Sequence, residues 1–449
     1  MLVVGLVLHN AAMAQLWELG VRGTMLDAVA AWKEALLLVA LLVVAWKVRR
    51  LPAVTAADVL AGSYTAVIVL YWLIPQDVLG GDATARGELL ALRHHLFPVA
   101  AYALGRLVGL AWEERGRVSG LVILSAVVVA LVGLLDLAFV SLQAWRDSGV
   151  PGWFAEQLGL DYEGLSGLPE NWVYNTGDEN NPLRRLVSTF LSPLASAYAL
   201  VVALIYVVSR PLRWWWAVLA AVLFVALLYT HTRAAFGALV FGLVLLAMLQ
   251  RRLAPAAVAG LFAVVSAAFL VAYPMIGPTT SYTPTELEEL RANAIVEGGT
   301  GRGRIQAIDD ESTESHWTNL RDGIRVVLEH PQGRGLGNAG VVAKRTGVEI
   351  LAGESTYTEL GVDAGIAGVA AFVLWSVAVL LGLWRREAWL AAAFAAVLAL
   401  GLQTDVIGIH WLAFTVWFAV GVALGGPREA PDPSEIYAGN EPGSETALS

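Results

Sequence analysis

WWWAVLAAVLFVALLYTHTRAAFGALVFGLVLLAML, residues 214–249, holds two apolar runs, Trp214 to Tyr229 and Ala235 to Leu249, joined by a turn that carries Thr230, His231, Thr232 and Arg233. A helix on the surface of a soluble protein alternates an apolar stripe with a polar face at a period of 3.6 residues, and neither run offers a polar face. Segments that are apolar all round need either a large protein core or a bilayer. A reversal this tight makes the two helices antiparallel neighbours. It also leaves Arg233 at the rim of an otherwise apolar hairpin, where its charge needs lipid headgroups or an anion nearby.

Working outward, the same pattern recurs along the chain: Leu2 to Gln15, Glu34 to Trp46, Val59 to Ile74, Leu96 to Trp112, Val118 to Leu142, Leu186 to Val208, the two runs above, Ala254 to Tyr273, Gly365 to Trp384, Trp389 to Leu402 and Trp411 to Leu424. Of the 449 residues 57% are hydrophobic and 15% charged, against about 25% charged in soluble domains. The fold class predicted is all-α, a polytopic membrane helix bundle of about 12 transmembrane helices. The net charge of −9 argues against nucleic acid as a partner, because phosphate binding needs a dense basic face. Cysteine is absent, which removes disulfides and thiolate metal ligands. The first apolar stretch has neither a basic flank before it nor a small-residue cleavage site after it and reads as a retained helix.

Orientation follows from short loops, in which Lys and Arg stay cytoplasmic. Lys47, Arg49 and Arg50, then Arg115 and Arg117, Arg210 and Arg213, Arg251 and Arg252, and Arg385 and Arg386 all fall in loops of one parity. Both termini are therefore expected in the cytoplasm, with residues 425–449, rich in Pro, Glu, Asp and Ser, a disordered tail. Two long loops face outward, Gln143 to Arg185 and Pro274 to Asp363. The second is expected to be partly helical: Thr283, Pro284 and Glu286 form a capping-box start for a helix to about Val296. A second helix is expected from about Ser315, its Trp317, Leu320, Ile324, Val327 and Leu328 docking on the bundle. Arg321 and Arg325, four apart, project beside that stripe, with His316 on its other flank.

Gly335, Gly337 and Gly340 spell a GxGxxG pattern, but without a flanking strand and helix it reads as a glycine-rich turn. Arg184 and Arg185 before the sixth helix and Arg93, His94 and His95 before the fourth join Arg233 in a ring of cations at the outer headgroup level, suited to a phosphate on a lipid. Arg106 is expected to snorkel toward the cytoplasm. Asp136 and Asp405 are acids within or beside the membrane and are functional candidates by default, and solitary His410 reads as a packing residue. Thr356 and Glu359 form a capping box that opens the tenth helix. No metal constellation and no cofactor motif is found.

Glu354 and Ser355, then nine residues, then Gly365 and Gly368 resemble the motif His, then Asn, Ser or Gln, nine residues, Gly-x-x-Gly of the O-antigen ligase and polymerase-like superfamily of bacterial membrane glycosyltransferases. Arg185 with Thr189, Phe190 and Pro193, the turn at Thr232, Arg233 and Ala234, and Pro331 to Gly337 support the resemblance, which runs along most of the chain. The resemblance implies transfer of a glycan from an undecaprenyl diphosphate-linked donor to a lipid or glycan acceptor at the outer face of the inner membrane. It implies arginines on the diphosphate and the first motif residue as a metal-independent general base. Carried over, Glu354 is the base and Arg233 with Arg184 or Arg185 holds the donor, while Arg321, Arg325 and His316 close the site. Here glutamate replaces the family's histidine, about two pKa units less basic in water, so a base at this position requires burial. Ligase and polymerase are both open, as are a secondary transporter and a noncatalytic scaffold.

The orientation is tested by cysteine labelling in intact cells. A cysteine replacing Ser281 should react with an impermeant maleimide and one replacing Ser434 should not; the opposite pattern inverts the topology.

Overall fold

A computed structural model describes residues 2–48, 52–108, 112–160, 168–169, 172–174, 182–280, 288 and 308–426. The predicted helix at Thr283 to Val296 and the tail beyond 426 lie outside the described residues, apart from Glu288. The described helices are α1 Leu2–Glu18, α2 Thr24–Ala30, α3 Trp32–Lys47, α4 Ala56–Leu73, α5 Gln76–Leu79, α6 Ala85–Val108, α7 Trp112–Phe139, α8 Leu142–Arg146, α9 Pro193–Ser209, α10 Trp214–Tyr229, α11 Arg233–Gln250, α12 Leu253–Ile276, α13 Ile308–Glu329, α14 Gly340–Thr346, α15 Thr356–Leu383, α16 Ala388–Leu400 and α17 His410–Gly425. The described part of each of the twelve apolar runs lies mostly in one of them, but only five or six are long and apolar enough to count as spans. By length and composition five are membrane spans, α4, Gly116–Phe139 of α7, α11, α12 and α15, and six if α2 and α3, bent by 41°, make one broken span. Shorter apolar helices, α9, α10, α16 and α17, complete the bundle.

Helices approach most closely where side chains vanish. Gly105 of α6 and Gly421 of α17 face each other's backbone, a Cβ on Gly105 meeting Phe418 O and one on Gly421 meeting Tyr102 O. Such small-residue contacts are how membrane helices gain packing when apolar burial gives no advantage over lipid. The same two helices hold Arg106, which does not snorkel. It is 5% exposed and forks onto Asp58 of α4, Nε to Oδ1 and Nη2 to Oδ2 at 2.7 Å each. Nη2 also donates to Ala53 O at 2.7 Å, and Nη1 donates to Leu424 O at the C-terminal end of α17. Asp58 is the capping-box acid of α4, accepting from Thr55 N at 2.7 Å, and takes the Tyr102 hydroxyl at 2.7 Å. One guanidinium thus ties α6, α4 and α17 together.

The sixth run starts later than its apolar residues suggest. Ser192 caps α9 with Pro193 in its first turn, and Leu186 to Leu191 run outside it, with Ser188 and Leu191 at positive φ. The reason is upstream: Leu183–Arg184 pairs antiparallel with Val173–Tyr174, Arg184 N donates to Pro278 O at 2.8 Å, Arg185 N to Trp172 O at 2.9 Å and Leu186 N to Tyr229 O at 2.9 Å. This two-stranded ribbon is the one addition to the all-helical expectation among the described residues.

The returning outer loop is bonded into the bundle. α13 docks on α15 with only part of the expected stripe: Val327 sits against Gly361 and Leu320 is half-buried, with Gly323 against Thr358, whereas Trp317, Ile324 and Leu328 are 63%, 47% and 66% exposed. Gly323 decides this, because the helix settles where it has no side chain. α15 breaks at Ala364 and Gly365, where Gly365 has φ +62°. Pro331 O accepts from Ile366 N at 2.9 Å, and Arg334 N donates to Val362 O at 2.6 Å. The break's backbone groups, which lipid would leave unpaired, are thereby satisfied.

Removing one member of the Arg106–Asp58 pair should be worse than neutralising both. Arg106→Leu leaves a half-buried carboxylate without its cation and is expected to cost roughly 3 kcal/mol. Arg106→Leu with Asp58→Asn, which keeps the cap acceptor, should recover at least half of that in denaturant unfolding of the detergent-solubilised protein. Equal losses would show that the pair is not what the bundle depends on.

Candidate functional site

Successive residues of an extended segment point to opposite sides, and the ribbon uses this to separate the two arginines. Arg184 turns to α7, where Nη2 lies 2.7 Å from Asp136 Oδ2 and Nη1 donates to Val140 O; Asp136 also accepts from Trp145 Nε1 at 2.7 Å. Both members of this pair are 5% exposed, so Arg184 and Asp136 hold the chain in place. Arg185 turns instead into the 230–233 turn, its Nε donating to Thr230 O at 2.8 Å and its Nη2 to Thr232 Oγ1 at 3.1 Å. Arg233 opens α11 beside it, half-buried. His231 takes a left-handed φ of +49° and stacks on Tyr273 with ring centroids 4.4 Å apart. Burial, then the charges of Arg185 and Arg233, push its imidazole down to about 3, so it is a neutral spacer between two cations.

A second group of ionisable residues lies at the same end. His94 Nε2 is 3.1 Å from Asp405 Oδ2 and His95 Nε2 is 3.0 Å from Asp363 Oδ2. Asp363 Oδ1 accepts from Gly337 N and Asn338 N at 3.1 Å each, which is what the GxGxxG segment does. Its three glycines have φ of +95°, +92° and +55°, and the last leaves room for the buried carboxylate of Glu359. Asp405 accepts from Ile407 N at 3.1 Å, and the Thr356 hydroxyl lies 3.4 Å from it. Burial alone would raise the Asp405 carboxyl, but His94, His95 and the Ile407 amide hold it below the usual range, as an ionised partner that orients His94. The two groups share a wall: Tyr198 of α9 is 2.8 Å from Thr404 Oγ1, one residue before Asp405.

Glu354 stands at the mouth of this acidic group. It is exposed, not buried beneath the loop, and has φ +71°, a conformation costing a non-glycine residue about 1 kcal/mol or more. Its backbone N–H donates to the Glu359 carboxyl. Ser355, not Thr356, caps α15, accepting from Tyr357 N at 3.3 Å and donating to Gly401 O at 3.0 Å. The expected Thr356–Glu359 box is replaced by a single Ser355 cap, and Glu359 reaches back past it to the Glu354 amide. Of five described non-glycine residues at positive φ, four, Ser188, Leu191, His231 and Glu354, lie at this end of the bundle.

Arg321 and Arg325 do not reach either group. Both are exposed on the outer face of α13, and Arg325 pairs with Asp322 at 3.1 Å. His316 lies in α13, with its side chain outside the described residues. His410, read as a packing residue, stands edge-on to Phe97 at 5.3 Å and 4.0 Å from Glu34, which also pairs with Lys33 and Arg93. Sequence reasoning passed over Glu359 and Asp363 as site residues. The available signal was their spacing of four, which puts two acids on one face of an apolar helix. Among the described residues no three or more His, Asp or Glu side chains are arranged to hold a metal ion.

Residues 217–373 match the family model described as O-antigen ligase. The match spans the Arg233 turn, the loop and the Glu354 motif. No curated protein matches the chain.

The His231 reading is open to titration. A histidine kept neutral in the fold binds fewer protons than in the unfolded chain, so stability should fall as pH drops from about 6.5 toward 3. His231→Asn, which tolerates positive φ, should flatten that fall, and ¹³C-labelled His231 should show no transition near pH 6.5. A transition there removes the spacer role.

Proposed function

We propose, on the premise of an O-antigen ligase family match at residues 217–373 in a multi-pass helical membrane protein, that the chain transfers a glycan in surface polysaccharide assembly. The donor is an undecaprenyl diphosphate-linked glycan, the acceptor a lipid or glycan hydroxyl, and the site the outer face of the bacterial inner membrane. One observation supports this most: a turn carrying Arg185 and Arg233 and a group of carboxylates and imidazoles share one end of the bundle and one wall, Tyr198 against Thr404. A diphosphate leaving group needs the first and an attacking hydroxyl needs the second.

In this reading the acceptor oxygen attacks the anomeric carbon from the face opposite the diphosphate. The anomeric C–O bond breaks, and the diphosphate leaves with the bonding electrons, so the configuration inverts. Arg233 and Arg185 take up the charge that grows on the leaving oxygens, the larger share of the barrier lowering in preorganised sites. Arg184, held by Asp136, fixes the ribbon that aims Arg185. Glu354, exposed here, serves as base only once bound donor and acceptor bury it at the mouth, where it accepts the hydroxyl proton beside Glu359 and the Asp405–His94 pair. A transporter would gather its ionisable groups near mid-membrane at broken helices, whereas Glu354, Asp405 and the Arg233 turn lie at helix ends and only Asp363 borders a break. The break in α15 is filled by the chain's own loop.

Purified protein with a lipid diphosphate glycan provides the test. Glu354→Gln should bind donor normally and transfer at least roughly 100-fold more slowly. Arg233→Lys should lose most transfer while inserting normally, because an ammonium lacks the bidentate fork. Parental rates in Glu354→Gln together with a loss of similar size in Asp405→Asn would move the base to the Asp405–His94 pair. Parental rates in all three variants would remove the glycosyltransferase reading.

A further inference from the structure

At the end of the bundle away from Glu354 lies a cavity of about 350 Å³, between the start of α7, the C-terminal ends of α9 and α11 and the turn from α15 to α16. Its wall is chemically mixed. The Arg210 guanidinium lies 4.3 Å over the Tyr206 ring, and Trp389 meets the same ring edge-on at 4.8 Å. Arg386 is held from behind, its Nη1 donating to Ala423 O, Leu424 O and Gly426 O at 3.2 to 3.4 Å. Glu387 and Gln250 complete the polar lining, Gln250 Nε2 donating to Ser209 O at 3.3 Å.

We propose that this cavity binds the headgroup of an anionic phospholipid that carries free hydroxyls, of the phosphatidylglycerol kind. Two guanidiniums answer a phosphodiester, and Arg binds its oxygens in pairs. Glu387 in the same wall disfavours a bare, doubly charged phosphate but accepts hydroxyl donors, as do the Gln250 amide oxygen and the Ser209 hydroxyl. A choline headgroup brings neither hydroxyls nor net negative charge. The surroundings point to lipid as the source. Trp214, Trp215 and Trp384 are 75%, 43% and 50% exposed at the same end, the pattern of an interfacial aromatic belt. The basic loops with Arg213, Arg251 and Arg252 lie there too, and basic pockets between membrane helices are known lipid-headgroup sites. The inference stands apart from glycan transfer, since none of these residues is at the Glu354 end.

The full chain is reconstituted in equal parts of phosphatidylglycerol and phosphatidylcholine, extracted gently and weighed intact with its bound lipid. Retained phosphatidylglycerol should exceed phosphatidylcholine by about tenfold, the factor expected for a charge-assisted contact. Arg210→Gln, at an exposed position, should reduce the ratio to below about twofold with an unchanged gel-filtration profile. Equal retention by the parent overturns the proposal whatever the variant does, and so does an unchanged ratio in Arg210→Gln. Soluble sn-glycerol 3-phosphate at millimolar concentration should neither displace the lipid nor raise the melting temperature. If it does so as well as the lipid, the site takes a soluble polyol phosphate and the lipid assignment fails.

Discussion

Asp363 receives three donors from two distant parts of the chain: the amides of Gly337 and Asn338 on one oxygen and His95 Nε2 on the other, all within 3.1 Å. The amides come from a glycine-rich turn, the imidazole from α6 and the acid from the last turn before the break in α15. A buried carboxylate is tolerated only when its lone pairs are used, and here they are used by the roof of the candidate site. Taking the acid away would orphan two amides and an imidazole together, so the placement of Glu359 beneath that turn depends on it.

The arrangement shows how charge is sorted in a chain that is mostly apolar. Arg106 and Arg184 are both buried and both meet an aspartate at 2.7 Å. These two pairs clamp helices to one another, and neither arginine is placed to meet a ligand. Arg185 instead donates to a backbone carbonyl, Thr230 O, and to the Thr232 hydroxyl, groups of the turn itself that aim it there. Arg233 adds a second cation, and His231 between them stays neutral, chiefly because it is buried and then because of the two charges. Charge at a membrane edge is costly, and the concentration of two arginines in one turn is what sets that turn apart.

What could be read beforehand follows from how far apart the interacting residues lie. The apolar runs are local, and the described residues of each are helical for most of their length, because a lipid-facing backbone has no alternative. Ser192 and Pro193 were a legible start signal for the sixth helix, overlooked because the apolar residues before them continue the run. Thr356 and Glu359 fit a capping-box pattern, but Ser355 took the cap position instead, a choice only the fold could make. The pairing of Arg106 with Asp58, of His94 with Asp405 and of His95 with Asp363 joins residues 48, 311 and 268 positions apart, beyond any periodicity. The face α13 presents was set by a glycine, a residue that hydropathy hardly weighs. Glu354 was legible as a motif position, whereas its exposure was not, since burial at a loop-to-helix junction depends on what the loop does next.

The break in α15 is completed by the loop that precedes it: Pro331 supplies the acceptor for Ile366 N, and Val362 supplies one for Arg334 N. The cover over Glu359 is therefore part of a transmembrane helix's own hydrogen-bond ladder. Such a cover is no lid. Swinging it outward would strand backbone groups at the edge of the bilayer, each worth more than a substrate contact. On the proposed function, a lipid-borne donor would have to reach the acids sideways, between helices and from the plane of the membrane, with its cargo already at the right depth.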